Sequence, residues 1–215
     1  MLKAIIFDFD GVICESVEVK TEAFRKLFQD YPKQLEQILR FHMDNGGMSR
    51  FEKFKIIYRD FLRQELTEEH SKELGRKFTE YSYQAVIDSP FVKGVGEFLE
   101  KYHKTFVFFI VSGTPEGEMV SIVKEKGLGK YFQGVYGTPR LKGKLLTLIL
   151  KQNELNKSEA IFVGDSRTDY AGAQEAGVRF IGRLHEGYPN PFLGVRVDAV
   201  INDLSELYSK IKNLQ

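Results

Sequence analysis

The sequence predicts an α/β protein: a mostly parallel sheet with helices on both faces, interrupted early by an all-α insertion. Three observations carry this. The chain opens on an apolar run, Ala4-Ile5-Ile6-Phe7, that ends in Asp8-Phe9-Asp10-Gly11. Four to eight branched and aromatic residues in a row read as a strand buried on both faces. From about residue 95 onward, apolar runs alternate with stretches of helical spacing, the pattern of strand–helix–strand units paired in parallel. Between these regions, residues 16–88 carry helical spacing and no convincing strand.

Taken in order, residues 2–8 form the first strand. Val17, Ala23, Phe24, Leu27 and Phe28 recur at near-helical spacing and predict an amphipathic helix over 16–29. Leu35, Ile38, Leu39 and Met43 predict a second helix, which Asn45-Gly46-Gly47 breaks. Phe51, Phe54, Ile57, Tyr58, Phe61 and Leu62 predict a third over 49–66. Thr67, followed by Glu68 and Glu69, is a favourable N-cap for a fourth helix reaching about Val86, and Asp88-Ser89-Pro90 ends it. Then follow a helix over 95–102, a strand over 106–111, a helix over 115–126, a short strand over 134–136 and a helix over 142–152. A strand over 160–163, a helix over 168–176 and a strand over 178–181 come next. After an irregular, Gly- and Pro-rich segment, residues 199–201 predict a short edge strand and 203–213 a final helix. The expected organisation is a core of residues 1–15 and 89–215 with a helical cap of residues 16–88.

Bulk properties narrow the class. A chain of 215 residues accommodates a core domain with an insertion. The hydrophobic fraction of 42% and charged fraction of 28% are those of a soluble globular protein. A net charge of +1 gives no reason to expect a nucleic-acid or membrane partner. The lone Cys14 excludes an intrachain disulfide framework and fits a reducing compartment. No secretory leader or membrane-length apolar run is apparent, so the expected location is the cytoplasm.

The strand ends concentrate polar chemistry. Asp8 and Asp10 follow the first strand, Ser112-Gly113-Thr114 the second, and Gly164-Asp165-Ser166-Arg167-Thr168-Asp169 the strand over 160–163; Lys142 and Lys144 open a helix. In an open parallel sheet the carboxyl ends line one crevice. Carboxylates that converge there repel unless a cation sits among them. Acids of this kind at the exit of a buried strand, with a glycine turn, point to a metal-assisted site.

These motifs resemble the haloacid dehalogenase-like hydrolase superfamily, in particular its helical-cap phosphatases of the phosphoglycolate phosphatase and β-phosphoglucomutase-like kind. The resemblance spans the chain. It rests on Asp8-Phe9-Asp10-Gly11-Val12, Val111-Ser112-Gly113-Thr114, a downstream lysine, and Gly164 to Asp169 with Ala173 and Ala176-Gly177 behind it. It implies a Rossmann-like core and an Mg²⁺-dependent phosphatase acting on a small phosphorylated metabolite, as a monomer or weak homo-oligomer. Asp8 would be the nucleophile and form an aspartyl-phosphate. Asp10 would protonate the leaving alcohol and then take a proton from water. Asp8, the backbone carbonyl of Asp10 and Asp165 would hold the metal, with Asp169 orienting the metal site directly or through water. Ser112 and the Gly113 amide would bind phosphoryl oxygens, and Lys142 would neutralise charge on nucleophile and phosphate. Lys144 and Arg140 compete with Lys142 for that role. A sugar-phosphate mutase uses the same core and is the alternative outcome.

Several features have two readings. Asp165, Thr168 and Asp169 also suit the start of a helix. Ser112 to Pro115 also suit a turn and N-cap, although free amides at a helix start bind phosphate in any case. Gly46-Gly47 would let a cap loop approach the substrate, where Arg50 or Lys53 would hold a second anionic group; the plainer reading is a helix connection with a basic solvent face. Glu15 stands where relatives often carry aspartate, which bears on the cap junction. Cys14 reads as a small buried hydrophobe. His70, His103 and His185 show no metal-ligand spacing, and residues 184–196 either rim the crevice or merely connect strands.

Overall fold

The structure, a computed structural model, describes residues 1–214. In chain order its elements are β1 (Ala4–Phe7), α1 (Val17–Leu27), α2 (Leu35–Asp44), α3 (Arg50–Ile56) with a π-helical continuation over Ile57–Leu62, and α4 (Glu68–Asp88). The remainder comprises α5 (Val95–Tyr102), β2 (Val107–Pro115), α6 (Glu116–Glu125), β3 (Phe132–Thr138), α7 (Lys142–Gln152), β4 (Ala160–Gly164), α8 (Arg167–Ala176), β5 (Arg179–Arg183), β6 (Ala199–Ile201) and α9 (Leu207–Asn213). Among the described residues the strands form one sheet in the order β3-β2-β1-β4-β5-β6. Every pairing is parallel. This is the Rossmann-like α/β architecture with an inserted helical cap.

β1 lies at the centre of the sheet, and alternation along it serves both helix layers. Ile5 and Phe7 enter one apolar cluster with Phe98, Phe108 and Ile122; Ala4 and Ile6 enter the other with Leu146, Ile149 and Phe162. All four β1 residues are fully buried, which is why the strand reads as an unbroken apolar run. The chain steps from β1 outward through β2 to β3, then crosses to the other side of β1 for β4, β5 and β6. The carboxyl end of β1 is therefore the point where strand order reverses, the usual place for a crevice.

Helices α1 to α4 enclose their own core. Phe24, Phe28, Ile38, Phe54, Ile57 and Phe78 are buried together. Phe24 meets the edge of Phe78 at a centroid distance of 5.0 Å. The two crossings between this unit and the sheet run side by side: Val92 N–H donates to Ile13 O at 3.0 Å and Glu15 N–H to Pro90 O at 3.0 Å.

Four local expectations are corrected. The third helix stops at Leu62 rather than 66, because Arg63 takes a left-handed conformation (φ 56°). Beyond Leu62 the run Arg63-Gln64-Glu65 offers no apolar stripe to bury. β2 continues through Ser112-Gly113-Thr114, since Pro115 still registers with Thr138 after an irregularity past Val111. Ser166, not Thr168, caps α8: its Oγ accepts from the Asp169 amide while Asp169 accepts from the Ser166 amide, a reciprocal box. The last helix starts at Leu207 rather than 203, because Asp203 accepts a local bond from the Ser205 amide and holds a turn.

Candidate active site

Asp8 is the first residue past β1. Its amide still donates to Val163 O at 2.8 Å, extending the ladder by one bond. Its carboxylate accepts from the Phe9 amide at 2.7 Å and lies 2.8 Å from Lys142 Nζ. Gly11, at φ +75°, turns the chain immediately afterwards; a Cβ there would collide with the Asp165 carboxylate. The turn separates the two acids that the sequence sets two residues apart. Asp8 faces Lys142, whereas Asp10 accepts from Ser16 Oγ at 2.6 Å and Lys20 Nζ at 2.5 Å.

Lys142 opens α7 and is buried. Its ammonium bridges Asp8 Oδ2 at 2.8 Å and Asp169 Oδ1 at 2.5 Å. Lys144 is exposed and paired with Glu175, and Arg140 is exposed, so of the three basic residues only Lys142 reaches Asp8. Asp169 has no exposed surface and serves two purposes: Oδ2 accepts from Ser166 in the helix-capping box, and Oδ1 holds Lys142. Oxygens of Asp8, Asp165 and Asp169 lie within 4.8 Å of one another. Ser112 is buried near the end of β2, where its Oγ accepts from the Thr114 amide at 3.1 Å.

The electrostatics follow from this crowding. Burial, and then the Asp169 carboxylate, push the Asp8 carboxyl well above the usual carboxylate range against the pull of Lys142. Burial and Asp169 likewise raise Asp165, although its bond from His185 acts the other way. Burial opposes the charge on Lys142, but Asp169 and Asp8 more than offset it and hold the ammonium above its usual range. Burial also works to raise Asp10, yet Lys20 and Ser16 overcome it and keep that carboxyl low. A cluster of hard oxygen donors carrying more negative charge than its lysine neutralises fits a small divalent cation.

The cap closes over this crevice, a cavity of about 920 Å³ lined by both units. The Gly46-Gly47 loop reaches the floor: a Cβ on Gly47 would lie 2.8 Å from Lys142 Nζ and 3.0 Å from Ser166 Oγ. A Cβ on Gly113 would in turn collide with the Gly47 carbonyl. The two basic residues after this loop have different fates. Arg50 is buried and paired bidentately with Glu118 of α6, at 2.6 and 3.0 Å, and also donates to Thr79 Oγ1 at 2.7 Å. Lys53 is buried and lines the cavity, donating to His42 O at 2.9 Å with His42 Nδ1 at 3.2 Å and no carboxylate partner. Burial, reinforced by Lys20, brings its ammonium down to about 7. The expectation of a solvent-facing basic surface is thus wrong for both.

Sequence reasoning passed over Lys20 and Glu118, and weighed His185 only as a metal ligand. Lys20 reaches from α1 to Asp10 and to Thr114 Oγ1 at 2.7 Å. A signal existed, since Lys20 sits one turn before Phe24 on the inward face of α1. His185 contacts Asp165 Oδ2 through Nε2 at 2.7 Å. It belongs to the 184–196 segment, which lines the crevice through His185, Glu186 and Tyr188 to Pro191. Cys14 is buried just past the Gly11 turn, where desolvation pushes its thiol up to about 12.

Comparisons with known proteins agree with this architecture. The chain is similar to a phosphoglycolate phosphatase from Vibrio parahaemolyticus, 28% identical over 96% of this chain and 94% of the other. It is also similar to a phosphorylated carbohydrates phosphatase from Thermotoga maritima, 24% identical over 86% of each. Among solved structures, β-phosphoglucomutase from Clostridium difficile shares the fold with a TM-score of 0.78 at 17% identity, over 100% of this chain and 97% of that one. The haloacid dehalogenase-like hydrolase family matches residues 5–183, from the middle of β1 to the last residue of β5. A match of that extent, on a chain whose strand ends and the helix starts that follow them bring Asp8, Lys142, Asp165 and Asp169 together, makes this protein an enzyme of the haloacid dehalogenase-like hydrolase family.

Proposed function

We propose that the protein is an Mg²⁺-dependent phosphatase that hydrolyses a small phosphorylated metabolite through an aspartyl-phosphate on Asp8. The observation that carries this reading is the split environment of the two acids. Asp8 stands in a buried cluster with Lys142, Asp165 and Asp169, while Asp10 is held apart by Lys20 and Ser16. Two carboxylates in contrasting surroundings suit two different tasks.

In this mechanism an Asp8 oxygen attacks phosphorus, and the bond from phosphorus to the ester oxygen breaks. Asp10 gives its proton to the departing alcohol. Water then attacks the phosphorus, Asp10 takes a proton from it, and the bond to Asp8 breaks, restoring the carboxylate and releasing phosphate. Lys142 carries positive charge to the nucleophile and the phosphoryl oxygens throughout. The Gly113 amide, which lines the cavity, and Ser112 would bind the phosphoryl oxygens. Lys20 favours ionised Asp10, the form needed for the second displacement. The first requires protonated Asp10, which Lys20 and Ser16 oppose. Asp8, the Asp10 carbonyl and Asp165, with Asp169 behind them, would hold Mg²⁺, which would supply charge neutralisation between the anionic nucleophile and the anionic phosphate. Core residues 1–15 and 89–215 provide this chemistry, and residues 16–88 provide the cover.

The non-reacting end of the substrate faces the cap. Glu118 already occupies Arg50, which leaves Lys53 beside His42 as the buried cation for a second anionic group. The two curated relatives act, by their names, on phosphoglycolate and on phosphorylated carbohydrates; either size of metabolite suits the cavity. We place the enzyme in the cytoplasm, working as a monomer or weak homo-oligomer.

The test is a phosphate-release screen over a metabolite panel, with and without Mg²⁺, for the wild type and Asp8→Asn. Release that needs Mg²⁺ and disappears in a folded Asp8→Asn protein is expected. An active Asp8→Asn protein refutes the mechanism, and isomerisation of a hexose 1-phosphate without phosphate release favours the mutase.

A further inference from the structure

A hydrogen-bonded chain runs from the junction of core and cap to Asp165, and none of the steps above uses it. Its centre is Arg183, the last residue of β5, which is buried. Arg183 donates to both Glu15 oxygens at 2.6 and 2.9 Å, to Gly11 O at 2.8 Å and to Asn202 O at 3.0 Å. Its Nη1 also lies 3.2 Å from His185 Nδ1, and His185 Nε2 lies 2.7 Å from Asp165 Oδ2. Arg183 and His185 are two apart on an extended segment, so both project to the same side.

The donor inventory fixes how this chain is wired. A guanidinium donates only and stays protonated. The two Nη1 hydrogens of Arg183 go to Gly11 O and Glu15, which leaves a cation 3.2 Å from Nδ1 of His185. The Asp165 carboxylate only accepts, so the ring proton resides on Nε2 and Nε2–H donates to Asp165. A nitrogen that carries its proton has no lone pair for a metal. His185 consequently touches the Asp165 carboxylate without joining its donor set, which remains all oxygen, the set that suits Mg²⁺ over softer ions.

We propose that His185 is a positioning residue for Asp165. Its Nε2–H holds one carboxylate oxygen and so presents Asp165 to the divalent cation in a single orientation; Arg183, anchored by Glu15 and the Gly11 carbonyl, stands beside Nδ1 on the other side of the ring. The packing is built for this: the missing Cβ of Gly11 leaves room where Asp165 and His185 Cε1 meet. The proposal rests on the metal-dependent reading above. It also gives Glu15 a role, because the longer acid spans to Arg183 with both oxygens. Partners of this kind, one bond behind the ligands, typically change metal affinity by about 10–100-fold when lost.

Two measurements test it, both on the full chain. Calorimetric titration with MgCl₂ compares the wild type, His185→Phe, which keeps a planar ring without a donor, and His185→Gln, which keeps a donor near Nε2. The dissociation constant is expected to rise about 10–100-fold in His185→Phe and to be largely restored in His185→Gln. Equal affinity in wild type and His185→Phe overturns the proposal and leaves the phosphatase reading standing; a wild type that binds no Mg²⁺ removes the cofactor reading and the proposal with it. Long-range nitrogen–proton NMR on the ion-free wild type reports the tautomer directly and does not depend on any variant folding. A proton on Nε2 is expected, and an Nε2 that carries none overturns the proposal.

Discussion

Lys142→Met isolates the charge at the centre of the site. Methionine keeps most of the length and apolar contact of lysine and removes the ammonium. The side chains involved are almost sealed from solvent: Lys142 is 5% exposed, Asp8 3% and Asp169 0%. Without Lys142, Asp8 and Asp169 face each other with no cation between them. Breaking a buried pair by removing one partner costs about 3–5 kcal/mol. In a protein of this size each kcal/mol moves the thermal midpoint by about 2–4 °C, so the ion-free variant should melt about 6–20 °C below the wild type at neutral pH. The pH dependence has a definite sign. Lys142 is the group pulling the Asp8 carboxyl down against burial and Asp169. Its loss raises that carboxyl further, and stability from a raised carboxyl is present at acid pH and lost as pH rises through its folded value. The deficit should therefore shrink on acidification. Losing one preorganised charge at the transition state should also lower kcat by about 10²–10³-fold. Calorimetry with and without Mg²⁺, together with steady-state phosphate release, reads both. A variant that melts within about 2 °C of wild type in the absence of metal refutes the buried-pair argument. One whose kcat is within about tenfold refutes the catalytic one.

Two further outcomes follow from the cap. Lys53, held at about 7 by burial, should destabilise the fold fully below that pH and progressively less towards 10.5, its ordinary value. Urea unfolding of wild type against Lys53→Met should thus show a difference that slopes across this window, by up to about 5 kcal/mol; a flat difference contradicts a buried, titrating amine. Glu118→Gln should loosen the cap, because Arg50 is left buried without its counter-charge at 4% exposure until the cap opens and water reaches it. Amide exchange at 46–48 and 113–114 should accelerate and KM should rise, whereas unchanged exchange would mean that Arg50 and Glu118 do not hold the cap shut.

The core was legible because its information is local. A parallel strand buried on both faces must be apolar throughout, so Ala4–Phe7, Phe108–Val111 and Ala160–Val163 stand out in one dimension. The polar residues that follow must lie at one edge, because every strand of such a sheet points the same way. That logic brought together Asp8, Asp165 and Asp169, whose oxygens cluster, whereas only the structure separates Lys142 from Lys144 and Arg140. Element ends were less legible, since they are set by long-range partners: β2 runs on to Pro115 because Thr138 lies alongside, and α8 starts where Ser166 and Asp169 close a ring.

The sequence by itself determined the sheet, the inserted helices and the acids at the strand ends, because periodicity and burial impose those on neighbouring residues. Only the tertiary structure decided what surrounds each charge. It gave Asp10 to Lys20, closed Arg50 with Glu118, left Lys53 without a counter-ion, and ran Glu15 through Arg183 and His185 to Asp165. Those pairs join residues up to 172 positions apart, as in the bond from Arg183 to the Gly11 carbonyl. A long polar side chain has the same composition and spacing whether it meets solvent or a buried partner. Its surroundings, which fix its charge and therefore its chemistry, exist only once the cap has folded against the sheet.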